Sequence, residues 1–250
     1  MNVRYLFLLF LLAIGGCDKP SEKIIVATAA NVQYVMADIK KEFEKEYKRE
    51  IQIVVGSSGK LTSQIREGAP FDVFVSADTK YPREIYSKGG SAEKPKIYAL
   101  GSLVLWSMKI SSKDLKPEFL ENEHIKKVAI PNPRIAPYGE AAMQVLIKLN
   151  LQKQVQNKLV FGESIAQTAQ YITTGSVEAG FNALSIVLSP EMKNKGNWVL
   201  VDSSLYRPIE QAAVLLKHSD DSPKKETSRL FYDFLYSKKA RDIFKKYGYK

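Results

Sequence analysis

Between residues 54 and 62 the chain reads Val-Val-Gly-Ser-Ser-Gly-Lys-Leu-Thr. Two glycines, two serines and a lysine after a β-branched run suit a strand that opens into a helix around an anion. A phosphate-binding P-loop would need glycine where Val54 stands and Ser or Thr where Leu61 follows Lys60, so that motif is excluded. A more general device survives. A glycine-rich turn aims backbone N–H groups at a ligand, and the helix behind it adds the positive end of its dipole. Three other stretches have the same form of strand end, small polar turn and helix start: Thr28-Ala29-Ala30-Asn31, Asn132 to Gly139, and Gly162-Glu163-Ser164-Ile165. Helix capping alone accounts for any one of them. Four together place first-turn N–H groups at the carboxyl edges of sheets, where open α/β folds bind ligands.

Other chemistry is thinly supported. Asp72 and Asp78 bracket an apolar strand, but no nucleophile or metal ligand accompanies them, and capping is the expected role. His124 and His218 are far apart in polar surroundings and have no metal-ligand spacing. Cys17 is the one cysteine, which excludes an internal disulfide or a cysteine-based zinc site. Lys60 and Arg134 border the anion cradle, as solvated cations or as a direct ion pair to the ligand. Trp106 and Trp198 are read as packing residues rather than a sugar platform.

The elements that must position these turns alternate. Ile24 to Ala27 reads as a buried strand. Val32, Val35, Met36, Ile39 and Phe43 follow at helical spacing, with Asn31 at the expected N-cap. Strands at 51–55 and 73–75 are each followed by a helix, the first closed by Gly68. This order implies parallel β-α-β units. The apolar run around Leu103 to Trp106 reads as a crossing into a second lobe, with strands at 128–130, 159–161 and 179–184 and helices at 139–149 and 165–173, the latter capped by Ser164. Near Tyr206-Arg207-Pro208 the chain returns, and Ala212 to Leu216 re-enters the first lobe before two closing helices. The expected fold is α/β and two-lobed. Each lobe is a mainly parallel sheet flanked by helices, and two crossing strands join them as in hinge-closing proteins. The first lobe takes 24–100 and 208–250, the second 101–207.

With 250 residues and 45% hydrophobic content, a substantial core is available. Residues 1–16 stand apart from it. Arg4 supplies a positive start, Tyr5 to Ile14 form an apolar run too short to span as a mature helix, and Ile14-Gly15-Gly16 precede Cys17. This segment resembles a lipoprotein signal with Cys17 as the lipidated residue, followed by a polar tether over 17–23. The formal net charge of +10 is scattered rather than gathered into a stripe interleaved with aromatics. It suits a basic surface near anionic lipid and does not suit nucleic-acid binding.

The four turns, together with Gly68-Ala69-Pro70-Phe71-Asp72-Val73-Phe74-Val75-Ser76-Ala77-Asp78, Gly101 to Ser107 and Gly248-Tyr249, carry a family likeness over nearly the whole mature chain. The sequence resembles the periplasmic molybdate-binding proteins of ABC transporters. The resemblance implies an oxyanion held between the lobes by Asn31, Ser58 and the amide of Ala30 on one side, and by the amide of Ile165 and by Tyr138, through amide or hydroxyl, on the other. Relatives often carry a hydroxyl where Ala30 stands, so only backbone can serve there. Some branches place a tyrosine after the glycine matching Gly180, where this chain has Phe181-Asn182-Ala183.

Elementary chemistry agrees. Molybdate and tungstate are dianions that only accept hydrogen bonds, so a site of N–H and O–H donors without carboxylates suits them, whereas phosphate brings a proton that wants an acceptor. The implied protein is an exported, membrane-anchored, monomeric receptor without cofactor or enzymatic activity, serving an ABC permease. The alternatives are a sulfate or phosphate receptor, a receptor for a sensor, and an exported enzyme, for which no catalytic set is present.

Overall fold

The computed structural model describes residues 23–219 and 223–250, so the leader, Cys17 and the tether up to residue 22 lie outside the described residues. The first sheet begins with β1 (Ile24–Ala29), whose residues are almost all buried, as for a strand covered on both faces. A short 3-10 turn at Ala30–Val32 leads into α1 (Gln33–Tyr47), which turns Val35, Met36, Ile39 and Phe43 inward at helical spacing. Next come β2 (Ile51–Gly56) and α2 (Ser58–Arg66). The turn after α2 places Gly68 at φ +87°, a conformation that costs glycine little. Then follow β3 (Val73–Val75), α3 (Lys80–Ser87) and β4 (Lys96–Gly101).

After Ser102 the chain enters the second sheet with β5 (Leu103–Ser107). That lobe contains β6 (Val128–Pro131), α4 (Pro137–Lys148), α5 (Gln152–Val155), β7 (Leu159–Gly162), α6 (Ile165–Thr173), β8 (Ala179–Ala183), α7 (Leu184–Val187) and β9 (Asn197–Leu200). The return is β10 (Ile209–Leu215), followed by α8 (Lys225–Phe234) and α9 (Lys238–Lys246). Helix α4 starts two residues before the expected Gly139, because Pro137 at its first position has its φ already fixed for a helix.

Strand order is β2-β1-β3-β10-β4 in one sheet and β7-β6-β8-β5-β9 in the other. Parallel pairing is confined to β1 with β2 and β3, and to β6 with β7 and β8. The sheets are therefore mixed rather than mainly parallel. Strand β10 returns from the other lobe and runs antiparallel to both β3 and β4, while β5 runs antiparallel to β8 and β9. The first sheet is covered on one face by α1, α8 and α9, through Phe43, Phe231, Phe234 and Phe244, and on the other by Leu61 and Ile85 of α2 and α3. A second core around Trp106, Ile130, Leu146 and Phe181 fills the other lobe. Trp106 is fully buried and lies in register with Trp198, which leaves both in packing roles.

Candidate anion-binding site

Four element starts converge between the sheets. A small cavity of about 10 Å³ is lined by Ala29, Ala30 and Asn31 after β1, Ser57 and Ser58 opening α2, Ala77 after β3, Ala136, Pro137 and Tyr138 opening α4, and Ile165 opening α6. The structure thus brings Ala30, Asn31, Ser58, Tyr138 and Ile165 to one place. No lining residue carries a formal charge. Helix geometry leaves the first-turn N–H groups without partners inside the helix, and some here are spent elsewhere. Gly59 donates to Ile135 O at 2.9 Å, and Gln167 donates to the Ser164 hydroxyl at 3.3 Å. Ser58, Tyr138 and Ile165 hold the first-turn positions beside the cavity. Asn182 Nδ2 donates to Ile165 O at 3.2 Å and fixes that corner from β8.

Two hydroxyls face this space. Ser58 Oγ accepts from Ala77 N at 3.0 Å, so its own proton is directed to another acceptor. Ser57, 4% exposed, has a hydroxyl with no protein partner. Sequence reasoning placed Ser57 in the turn but not among the binding residues; two adjacent serines after a strand gave no means of choosing between them. Phe181 is buried in the second core, so it leaves the missing tyrosine hydroxyl unreplaced.

Asn31 departs from expectation. It does not cap α1. It lies inside the 3-10 turn, and its Nδ2 donates to Gln211 Oε1 at 2.8 Å and to the Tyr249 hydroxyl at 2.9 Å. Behind the cavity this forms a buried polar network. Gln211 Nε2 donates to the Tyr138 hydroxyl at 3.0 Å, and Ser185 of α7 donates to Asn31 O at 2.7 Å. The Tyr138 hydroxyl therefore belongs to this buried network, leaving its amide beside the cavity. Burial holds the Tyr98 and Tyr138 phenols well above their usual pKa and pushes Tyr249 up to about 12, so all three remain neutral donors and acceptors.

The outer rim is also closed. Gly59 N meets Ile135 O, the Tyr81 hydroxyl donates to Arg134 O at 3.1 Å, and Lys60 Nζ lies 2.6 Å from Glu163 Oε1 across the mouth. Lys60 thus pairs with the opposite lobe instead of entering the cavity, and Arg134 contributes a carbonyl while its side chain is exposed. Both members of the Lys60–Glu163 pair are about half exposed, so the pair adds little energy.

Asp72 accepts from Ile25 N at 2.7 Å, which ties the start of β3 to β1. Asp78 accepts from Tyr81 N and Ser76 Oγ, closing the turn into α3. It lines an adjoining cleft with Glu140 and Arg207, and burial raises its carboxyl from 3.8 to about 6. A raised carboxyl pKa means that folding disfavours the charged form. Stability from this group is full below about pH 4 and is lost as pH rises through about 6. Asp78→Asn keeps an acceptor oxygen. Denaturant unfolding should show it to be more stable at pH 7.5 by roughly 1–2 kcal/mol, with the decline between pH 4 and 6 flattened. An unchanged slope would assign that decline to other groups. His124 and His218 are exposed, and among the described residues no cluster of His, Cys, Asp or Glu could hold a metal ion.

Comparison with known proteins decides the family. Residues 24–250 match the model for bacterial extracellular solute-binding proteins. The chain is 40% identical over 235 residues to the molybdate-binding protein ModA of Azotobacter vinelandii, covering 94% of this chain and 92% of that one. The chain belongs to the periplasmic molybdate-binding protein family. To the ModA of Rhodobacter capsulatus it is 36% identical over 228 residues, covering 91% of this chain and 88% of the relative. The solved Azotobacter vinelandii periplasmic molybdate-binding protein superposes with a TM-score of 0.85 at 33% identity, covering 91% of this chain and 99% of that structure. The two-lobed α/β fold with mixed sheets is thus that of the periplasmic molybdate-binding protein.

Proposed function

We propose that this protein is a non-catalytic, extracytoplasmic receptor that closes its two lobes on molybdate or tungstate and delivers it to an ABC permease. One lobe is assigned to 24–100 with 208–250 and the other to 101–207. The observation that carries the reading is the cavity itself. It is buried and lined without a formal charge, and four element starts and two hydroxyls supply its donors. Many charge-assisted hydrogen bonds converging on a dianion can replace its hydration without a counter-charge. Ala30, Asn31, Ser58, Tyr138 and Ile165 are assigned as ligand residues, with Ser57 adding a hydroxyl. Calorimetric titration of the mature chain with molybdate should give one site per chain, and absence of binding would overturn the assignment.

Cys17 is assigned as the lipid-anchor site. Cys17→Ser should release the protein from the membrane into the soluble fraction while molybdate binding persists. Detergent partitioning checks this, and a mutant that still fractionates with membrane would contradict it. A single acyl chain anchors only marginally, so stable retention of the wild type calls for more than one.

A further inference from the structure

One short stretch, at the end of β8 and the start of α7, is bonded to an anion-binding corner on each lobe. Asn182 is fully buried; its Nδ2 donates to Ile165 O at 3.2 Å and its Oδ1 accepts from Ala183 N at 2.9 Å. A backbone carbonyl only accepts and a backbone N–H only donates, so these two partners fix which way the amide points. Three residues on, the buried Ser185 donates from Oγ to Asn31 O of the other lobe at 2.7 Å. Ile165 lines one side of the cavity, and Ala29, Ala30 and Asn31 line another. The residues between the two bonds have little freedom. Asn182 and Ala183 pair with Val104 and Leu103 of β5, and Leu184 N donates to Ser102 O at 2.9 Å, where the chain crosses between lobes.

We propose that residues 182–185 are a strut that sets the spacing between the donors of the two lobes, and so the size of tetrahedral dianion they close on, with Asn182, Ser185 and Tyr249 as positioning residues. This rests on the oxyanion-receptor reading above and adds the residues that select among such anions. The first lobe seats the strut from behind. The Tyr249 hydroxyl lies 3.0 Å from Ser185 Oγ and 3.2 Å from Asn31 O. Ser185 already supplies Asn31 O at the shorter distance, so the Tyr249 proton goes to Ser185 Oγ, and the two hydroxyls form a buried chain that steadies the Asn31 turn. Lys250 exchanges two backbone hydrogen bonds with Leu100, at 2.8 and 3.1 Å, just before the crossing. Gly248, at φ +79°, passes so close to α7 that a Cβ there would stand 2.6 Å from Leu184 Cδ2. A fixed spacing favours the anion whose oxygens reach both corners at once. A smaller tetrahedral dianion reaches both only if the corners draw together, which the strut prevents.

The test is selectivity. Molybdate is titrated calorimetrically, and chromate and sulfate, both smaller, compete against it at a mildly alkaline pH where all three are dianions. Ser185→Ala should weaken molybdate binding by about fivefold to twentyfold, as expected for one lost buried hydrogen bond, while the smaller anions change by less than about twofold. The preference for molybdate over chromate therefore falls. Tyr249→Phe keeps its ring edge-on to Phe244 and should shift the preference the same way by a smaller factor. If Ser185→Ala does not fold, Tyr249→Phe decides alone. Hydroxyls with a merely structural role would lower the unfolding midpoint of the ligand-free protein and leave the preference where it was. A preference unchanged in both variants, or no competition from either smaller anion in the variants, would overturn the strut and leave the receptor reading intact. Absence of molybdate binding by the wild type would overturn both.

Discussion

Gly59→Ala is expected to weaken molybdate binding by about 2–4 kcal/mol without lowering the stability of the ligand-free protein. A Cβ built at Gly59 would stand 2.9 Å from Ile135 Cα and 2.7 Å from the Tyr81 hydroxyl. The first of these is backbone of the opposite lobe, so the lobes must move apart. That movement breaks the Gly59–Ile135 hydrogen bond and the Tyr81–Arg134 hydrogen bond at the rim. Overpacking typically costs about 1–3 kcal/mol, and each lost hydrogen bond adds about 1 kcal/mol. Alanine also favours the helix over glycine by roughly 1 kcal/mol, so α2 gains while closure is blocked. The two effects have opposite signs in two measurements. Calorimetric titration should show the affinity loss, and denaturant unfolding without ligand should show an equal or higher midpoint. A variant with wild-type affinity would mean that the bound state does not need this close approach.

Ser58→Ala should weaken binding by about 1.5–3 kcal/mol, the usual worth of a hydrogen bond to a charged group. Its hydroxyl accepts from Ala77 N, so the substitution also removes a partner from a buried amide and should lower the stability of the free protein. Lys60→Ala, by contrast, removes half of a solvent-exposed pair and should cost less than about 1 kcal/mol. The ranking is the informative result. If Lys60→Ala gave the larger loss, the anion would be held by an ion pair and the neutral-donor account would fail.

These contrasts mark what could be read from the chain alone. The alternation of strands and helices was legible because apolar spacing changes period between Ile24–Ala27 and Val32–Phe43. The turns were legible because small polar residues before helices are local signals. The Lys60–Glu163 pair was not, because its members lie 103 residues apart and nothing in either segment names the other. Asn31 shows the same limit more sharply. Its type and position suit an N-cap, and its actual partners lie 180 and 218 residues away on elements whose approach depends on the whole topology. The mixed sheets have a related cause. Residue pattern marks β5 and β10 as buried strands, but their direction follows from the crossings between lobes.

The most direct test of the neutral-donor receptor is thermal unfolding of the soluble mature chain with molybdate, tungstate, sulfate, phosphate or nitrate at equal concentrations. A ligand at a hundred times its dissociation constant adds about 2.7 kcal/mol, which for a chain of this size raises the midpoint by roughly 5–10 °C if both lobes unfold together. Molybdate and tungstate should give shifts of that order. Sulfate is smaller and cannot reach donors on both lobes at once, phosphate carries a proton that the uncharged lining does not accept, and nitrate is planar with a single charge, so each should shift little. Equal shifts with sulfate and molybdate would reduce the protein to a general dianion receptor, and no shift with any oxyanion would contradict the account.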